Sequence, residues 1–174
     1  MFIEFVGFLV SKMKIKRFED LHCWQEARKL VNFVHRAIKE SKDFQKDARL
    51  CGQITGAAVS SMSNIAEGFS RRSNNEFIQY LFISKSSATE VQSEAYVALD
   101  QKYVEEETFN HIYEQAERVS KLDSGLITYL LQNQSSSKPK KPKKLNKHNK
   151  LNKPNKLNKH NKHNEPNKPE KPTS

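Results

Sequence analysis

The sequence predicts an all-α fold: an antiparallel, up-down-up-down four-helix bundle followed by a disordered basic C-terminal tail. Three observations carry this reading. Apolar residues recur at steps of three and four in four successive segments, and no stretch alternates as a strand does. The links between the segments are short, which joins antiparallel neighbours. After Gln134 the composition changes abruptly. Residues 1–17 read as an N-terminal extension, 18–132 as the bundle and 133–174 as the tail.

The first segment runs from about Asp20 to Glu40, with Leu21, Trp24, Ala27, Val31, Val34 and Ile38 on one face. Glu19 and Asp20 stand at its start, where the helix dipole favours acid. The second runs from about Asp47 to Glu67, with Leu50, Ile54, Ala58, Ser61, Ile65 and Phe69 as its inner stripe. Gly52, Gly56, Ala57, Ala58, Ser60 and Ser61 crowd it with small residues, which permit close approach of another helix. Gly68 is placed as a left-handed cap after its last turn.

The third segment opens with Ser73-Asn-Asn-Glu76, a capping-box pattern in which each side chain satisfies a free backbone N–H. Phe77, Leu81, Ser84, Ala88, Val91, Ala95 and Ala98 then form an unbroken seam of fours and threes. Phe82, Ile83, Tyr96, Val97 and Leu99 give this helix a second apolar face, which suggests contacts with another subunit. The fourth segment, about Glu105 to Leu131, starts with three glutamates and buries Phe109, Ile112, Ala116, Val119, Leu122, Leu126 and Leu130. Links at 41–46, 69–72 and 100–104 complete the bundle.

Charge divides the chain sharply. Residues 135–174 hold 13 Lys and two Glu, a net of +11, so the whole-chain value of +10 leaves −1 for residues 1–134. The basic character therefore belongs to the tail and does not make the bundle a nucleic-acid binder. From Asn146 to Pro169 the tail reads as eight triplets beginning with Asn, seven with Lys second. Nearly devoid of large apolar residues, it cannot build a core. In a polyproline II helix its lysines would share one edge suited to a phosphate backbone. A slipped tandem repeat without a selected role is the preferred reading.

The opening run MFIEFVGFLV is shorter than the ~20 residues that span a bilayer. It carries Glu4, has no basic residue ahead of it and lacks a small-residue cleavage site, so it is a poor export signal. Met13 opens the polar stretch that leads into the first helix and is the expected translation start; the alternative is a floppy or packed N-terminal extension. Cys23 and Cys51 lie 28 residues apart without metal or disulfide spacing and read as reduced core thiols of a cytoplasmic protein.

Catalytic signals are absent from the sequence: there is no Gly-rich phosphate loop, GxSxG or HExxH. Glu19-Asp-Leu-His22 matches a di-iron Glu-x-x-His spacing once, with no second copy, so no metal and no cofactor are expected. The densest polar cluster is Asn64-Ile-Ala-Glu67-Gly68-Phe69-Ser70-Arg71-Arg72-Ser73. In one reading Glu67 pairs with an arginine, Asn64 bonds across the bundle and Gly68 turns the chain. In the other, Arg71 and Arg72 are offered at a helix end to bind phosphates.

Phe18-Glu-Asp-Leu21 with Trp24-Gln25, Asn64-Ile-Ala-Glu67-Gly68, Arg72-Ser73 with Glu76-Phe77, and Ser87 with Glu90 resemble the four-helix-bundle family of 23S rRNA intervening-sequence proteins. The chain also resembles the accessory variability determinant of diversity-generating retroelements. The resemblance covers about Phe18 to Leu131 and adds Ser87 and Glu90 to the structural corner of Asn64, Glu67, Gly68, Ser73 and Glu76. It implies a ring-shaped homopentamer and no enzymatic activity. For the retroelement branch it also implies binding of RNA or DNA and of a reverse transcriptase. After Gln53, Thr55 and Gly56 stand where the family usually has a basic pair, which leaves Arg49 as the strong basic residue of the second helix beside Arg71 and Arg72 at the corner.

Overall fold

A computed structural model of the protein describes residues 15–136, with side chains through residue 133. The expected start at Met13, most of the N-terminal extension and most of the expected tail lie outside these residues. A 3-10 turn, Phe18–Asp20, precedes five helices: α1 (His22–Glu40), α2 (Lys42–Lys46), α3 (Ala48–Phe69), α4 (Asn74–Asp100) and α5 (Glu106–Ser136). Among the described residues there is no strand, and no helix is long and apolar enough to cross a membrane. The protein is an all-α helical bundle: α3 packs on α4, α4 on α5, and α1 on both α3 and α5, around a shared apolar core.

Local chemistry explains each boundary. Asp20 Oδ2 accepts from the Lys16 and Arg17 N–H groups at 3.0 and 3.1 Å, so this acid caps the 3-10 turn, one step ahead of the expected helix start. α1 buries Cys23, Ala27, Leu30, Val34 and Ala37. Of the expected face, Leu21, Ala27 and Val34 are buried, while Trp24, Val31 and Ile38 flank the stripe and are half-buried. The inner stripe is thus turned by part of one residue step, with Cys23, Leu30 and Ala37 taking the inner places.

The expected link at 41–46 contains a helical turn of its own. Ser41 Oγ accepts from the Phe44 N–H at 3.2 Å, and Phe44 is fully buried against Tyr103, with ring centroids 5.4 Å apart. A buried Phe in a connection requires its backbone to satisfy itself, and a capped turn does so. Asp47 then caps α3 by accepting from the Leu50 N–H at 3.0 Å.

All seven seam residues of α4, from Phe77 to Ala98, are buried, as are the seven on α5, from Phe109 to Leu130. Ser73 caps α4 by accepting from the Glu76 N–H at 3.3 Å, while the Glu76 carboxylate accepts from the Ser73 hydroxyl at 2.7 Å. The chain leaves α4 through Lys102, whose φ of 58° is left-handed.

Two glycine expectations change. Gly52 and Gly56 face open space and permit no close contact. Gly68 lies inside α3 and is not left-handed. A Cβ there would meet Phe77 Cδ2 and Tyr80 Cβ, both at 2.7 Å. The position demands the absence of a side chain, for close passage of α4, and has no need of a special backbone angle. Gly68→Ala should therefore lower stability by about 1–3 kcal/mol through overpacking. Urea denaturation checks this; an unchanged midpoint would refute the close approach.

Candidate functional site

The middle of the bundle holds a buried polar layer to which each of the four long helices contributes: Cys23 from α1, Ser61 from α3, Ser84 from α4 and Asp123 from α5. Ser61, Ser84 and Asp123 are 0% exposed. Ser61 Oγ and Ser84 Oγ are 3.1 Å apart, and Ser84 Oγ donates to Asp123 Oδ2 at 2.7 Å. With the Ser84 proton committed to the carboxyl, Ser61 is the donor to Ser84. Asp123 Oδ1 is buried without a hydrogen bond among the described residues.

Burial pushes the Asp123 carboxyl up to about 7, against the opposing effects of Ser84, Cys23 and the Lys85 charge. The same burial, with the Asp123 charge beside it, raises the Cys23 thiol well above its ordinary value. A thiol so raised is a poor nucleophile. The layer combines acid, thiol and hydroxyls where no described surface opens onto them. Its bonds link α3 to α4 and α4 to α5, and a buried polar group of this kind is best attested as a device that sets helix registry.

A second carboxylate, Glu26 on α1, is 3% exposed. Gln115 Nε2 on α5 donates to its Oε2 at 2.8 Å and to its carbonyl at 2.9 Å. Lys29 Nζ approaches Oε1 at 2.7 Å and Arg118 Nε approaches Oε2 at 3.3 Å. Burial pushes this carboxyl up, but the Lys29 and Gln115 bonds and the two positive charges outweigh it, so the group stays below its usual value.

The expected corner joins α3 to α4. Arg71 pairs with Glu67, donates to the Tyr80 hydroxyl, and holds its guanidinium 4.7 Å from the Tyr80 ring centroid. Tyr80 in turn donates to Glu67 at 2.9 Å. Asn64 does not bond across the bundle itself. Its Nδ2 donates to the Ser60 carbonyl at 2.8 Å and hydroxyl at 3.1 Å; Ser60 makes the crossing, 2.9 Å from Ser87 Oγ on α4. Arg72 is exposed and forms no ion pair with another described residue. Arg49 is exposed near the start of α3, so the length of that helix, roughly 30 Å, separates it from Arg71 and Arg72. The three arginines form no single patch.

The outer face of α4 is the third feature. Phe82, Ile83, Tyr96 and Val97 are 47%, 48%, 50% and 44% exposed. Between them Ser86, Thr89, Glu90 and Ser93 are exposed. Phe82, Ser86, Thr89, Ser93 and Tyr96 repeat the four-three step of the inner seam, so α4 carries a second heptad stripe on its outside. Glu90 sits on this face. Glu94, one turn on, keeps a buried oxygen, Oε2, without a hydrogen-bond partner among the described residues; burial and the Glu90 charge push its carboxyl up to about 7.

Residues 19–125 match the family described as 23S rRNA-intervening sequence protein. The chain belongs to that family. Among solved structures, this member of the 23S rRNA-intervening sequence family is similar to a protein of unknown function from the S23 ribosomal protein family of Bacteroides thetaiotaomicron VPI-5482. Identity is 24%, with 60% of this chain and 94% of that chain covered and a TM-score of 0.52, a likeness that speaks for the fold alone. Among curated proteins none matches significantly.

Sequence reasoning missed Asp123 and Glu26. The available signal was an acid standing at a core position: Asp123 lies four residues from both Val119 and Ile127, and Glu26 four before Leu30. The Asp123 carboxyl is held above the usual range for an aspartate, so the folded state binds its proton more tightly than the unfolded chain. Stability falls as pH rises from about 4 to about 7. Asp123→Asn should be more stable than the parent above pH 7, by up to about 4 kcal/mol, and lose that advantage toward pH 4. Chemical denaturation at several pH values measures it; a pH-independent difference would show that Asp123 does not titrate in this range.

Proposed function

We propose that this protein is a non-catalytic scaffold that assembles with copies of itself through the outer face of α4. The observation that carries this is the second heptad stripe, with large apolar residues left exposed at both of its ends. Over 14 residues it spans about 21 Å, enough for a helix from another subunit to pack along it. Supporting the reading further, three of the helix pairs meet in descending register. Ser60 meets Ser87 and Ser61 meets Ser84; Glu26 meets Gln115 and Phe33 meets His111; Ser84 meets Asp123 and Tyr96 meets Phe109. These pairings support an antiparallel, up-down-up-down arrangement of α1, α3, α4 and α5, with α2 as an elaboration of the first link. Five copies in a ring is the assembly that the resemblance implies. A cytoplasmic setting accords with the two unpaired cysteines.

In this reading the assembly serves as an accessory scaffold for an RNA- or DNA-containing complex, with a reverse transcriptase as partner in a retroelement setting. A second reading is a structural or protein-binding module with no nucleic-acid role. The net charge of −1 over residues 1–134 and the separation of Arg49 from Arg71 and Arg72 favour it.

Light scattering should give a mass several times that of the monomer, and Ile83→Glu with Val97→Glu should reduce it to one copy without loss of helical content. A monomeric parent, or a double variant that still assembles, would overturn the interface. Nucleic-acid binding is read by anisotropy on the full chain and on a chain ending at Gln134. Binding retained without the tail and weakened by Arg72→Gln supports the first reading, with a salt slope set by the phosphates neutralised. Binding that vanishes with the tail supports the second.

A further inference from the structure

At the end of the bundle where α3 passes into α4 there is a cavity of about 250 Å³. Ile15, Leu21, Phe69, Phe77, Leu126 and Tyr129 give it apolar walls, and Arg71 and Arg72 also line it. Arg71 is occupied by Glu67 and Tyr80. Arg72 is left without an ion pair among the described residues. The cavity therefore presents an apolar interior with one uncommitted positive charge.

We propose that the cavity is the docking site of the chain's own opening segment, residues 2–10. Ile15, the first described residue, is itself part of the wall, so the chain enters the bundle at the cavity. The 14 residues ahead of it reach up to about 3.3–3.6 Å each, far more than the few residues' length needed to fold back. Such a tether makes docking intramolecular and gives it a high effective concentration. Seven of the nine residues from Phe2 to Val10 are large and apolar: Phe2, Ile3, Phe5, Val6, Phe8, Leu9 and Val10. Exposed together they would form an unfavourable apolar stretch, and the cavity, at about 250 Å³, has room for one or two of these side chains. The segment's one charged residue, Glu4, is opposite in sign to Arg72. Docking would give the opening run a role inside the protein and would close one end of the core.

The test places a photoreactive benzoylphenylalanine at Phe5 in the full chain and maps its crosslinks by mass spectrometry. Crosslinks within one chain to residues 68–77 or 126–130 are expected. Hydrogen exchange is then compared between the full chain and the Phe5→Glu, Phe8→Glu variant, which leaves the length unchanged. At least tenfold faster exchange around Phe69–Phe77 and Leu126–Leu130 is expected, with helical content retained. Crosslinks only elsewhere, crosslinks only between copies, exchange unaffected by the variant, or a native protein whose intact mass begins at Met13 would each overturn the proposal. The assembly test on α4 uses other residues, so the two readings fail independently.

Discussion

The contact between α3 and α4 sets the terms for the rest of the structure. At Ser60, Ser61 and Gly68 the α3 face has almost no side-chain bulk, and α4 passes so close that a single added carbon at Gly68 would collide with it. Two helices packed this tightly exclude water from the hydroxyls between them, which must then bond to each other. Ser60 finds Ser87 and Ser61 finds Ser84. Ser84 is also the link to Asp123, so the close approach leads directly to the buried carboxyl on α5. One steric constraint thus accounts for the serines, and the serines for the polar layer.

The same constraint redistributes bulk on α4. Its inner seam is made largely of Ser84, Ala88, Ala95 and Ala98, because larger residues would hold the neighbouring helices apart. Phe82, Ile83, Tyr96 and Val97 lie on the outside. A helix that buries alanines and serines along much of its seam while four large apolar residues stay outside departs from the usual partition of a surface helix. Hydrophobic burial then remains incomplete in the single chain, and a second layer of packing on α4 would complete it. The tight core and the outward stripe are two consequences of one distribution of residues.

The elements with strong periodicity were legible in the sequence. Every seam position from Phe77 to Ala98 and from Phe109 to Leu130 is buried as spacing requires. What was harder to read has specific causes. α1 has apolar residues on more than a third of its circumference, so Trp24, Val31 and Ile38 fit the period as well as Cys23, Leu30 and Ala37; only the neighbours α3 and α5 decide between them. Gly68 carries the same letter whether it ends a helix or lets another one pass. Phe44 lay in a short link, where propensity is silent and tertiary burial decides. Asp123 and Glu26 were hidden because periodic patterns count apolar residues, and a charged residue at a core position reads as an interruption.

That hidden layer bears on what the fold is for. A stability argument alone would replace Asp123 with an apolar residue, since burying an acid costs more than one serine bond returns. The carboxyl, however, ties α5 to α4 through Ser84, and Glu26 ties α1 to α5 through Gln115 and Arg118. The position of the outer stripe of α4 depends on this kind of discrimination. A slip of α4 by one turn against α5 would take Tyr96 off Phe109 and Tyr113 and shift the whole stripe relative to the rest of the surface. Polar contacts at the centre thereby bear on where the exposed residues of α4 stand at the periphery, because both lie on the same helix.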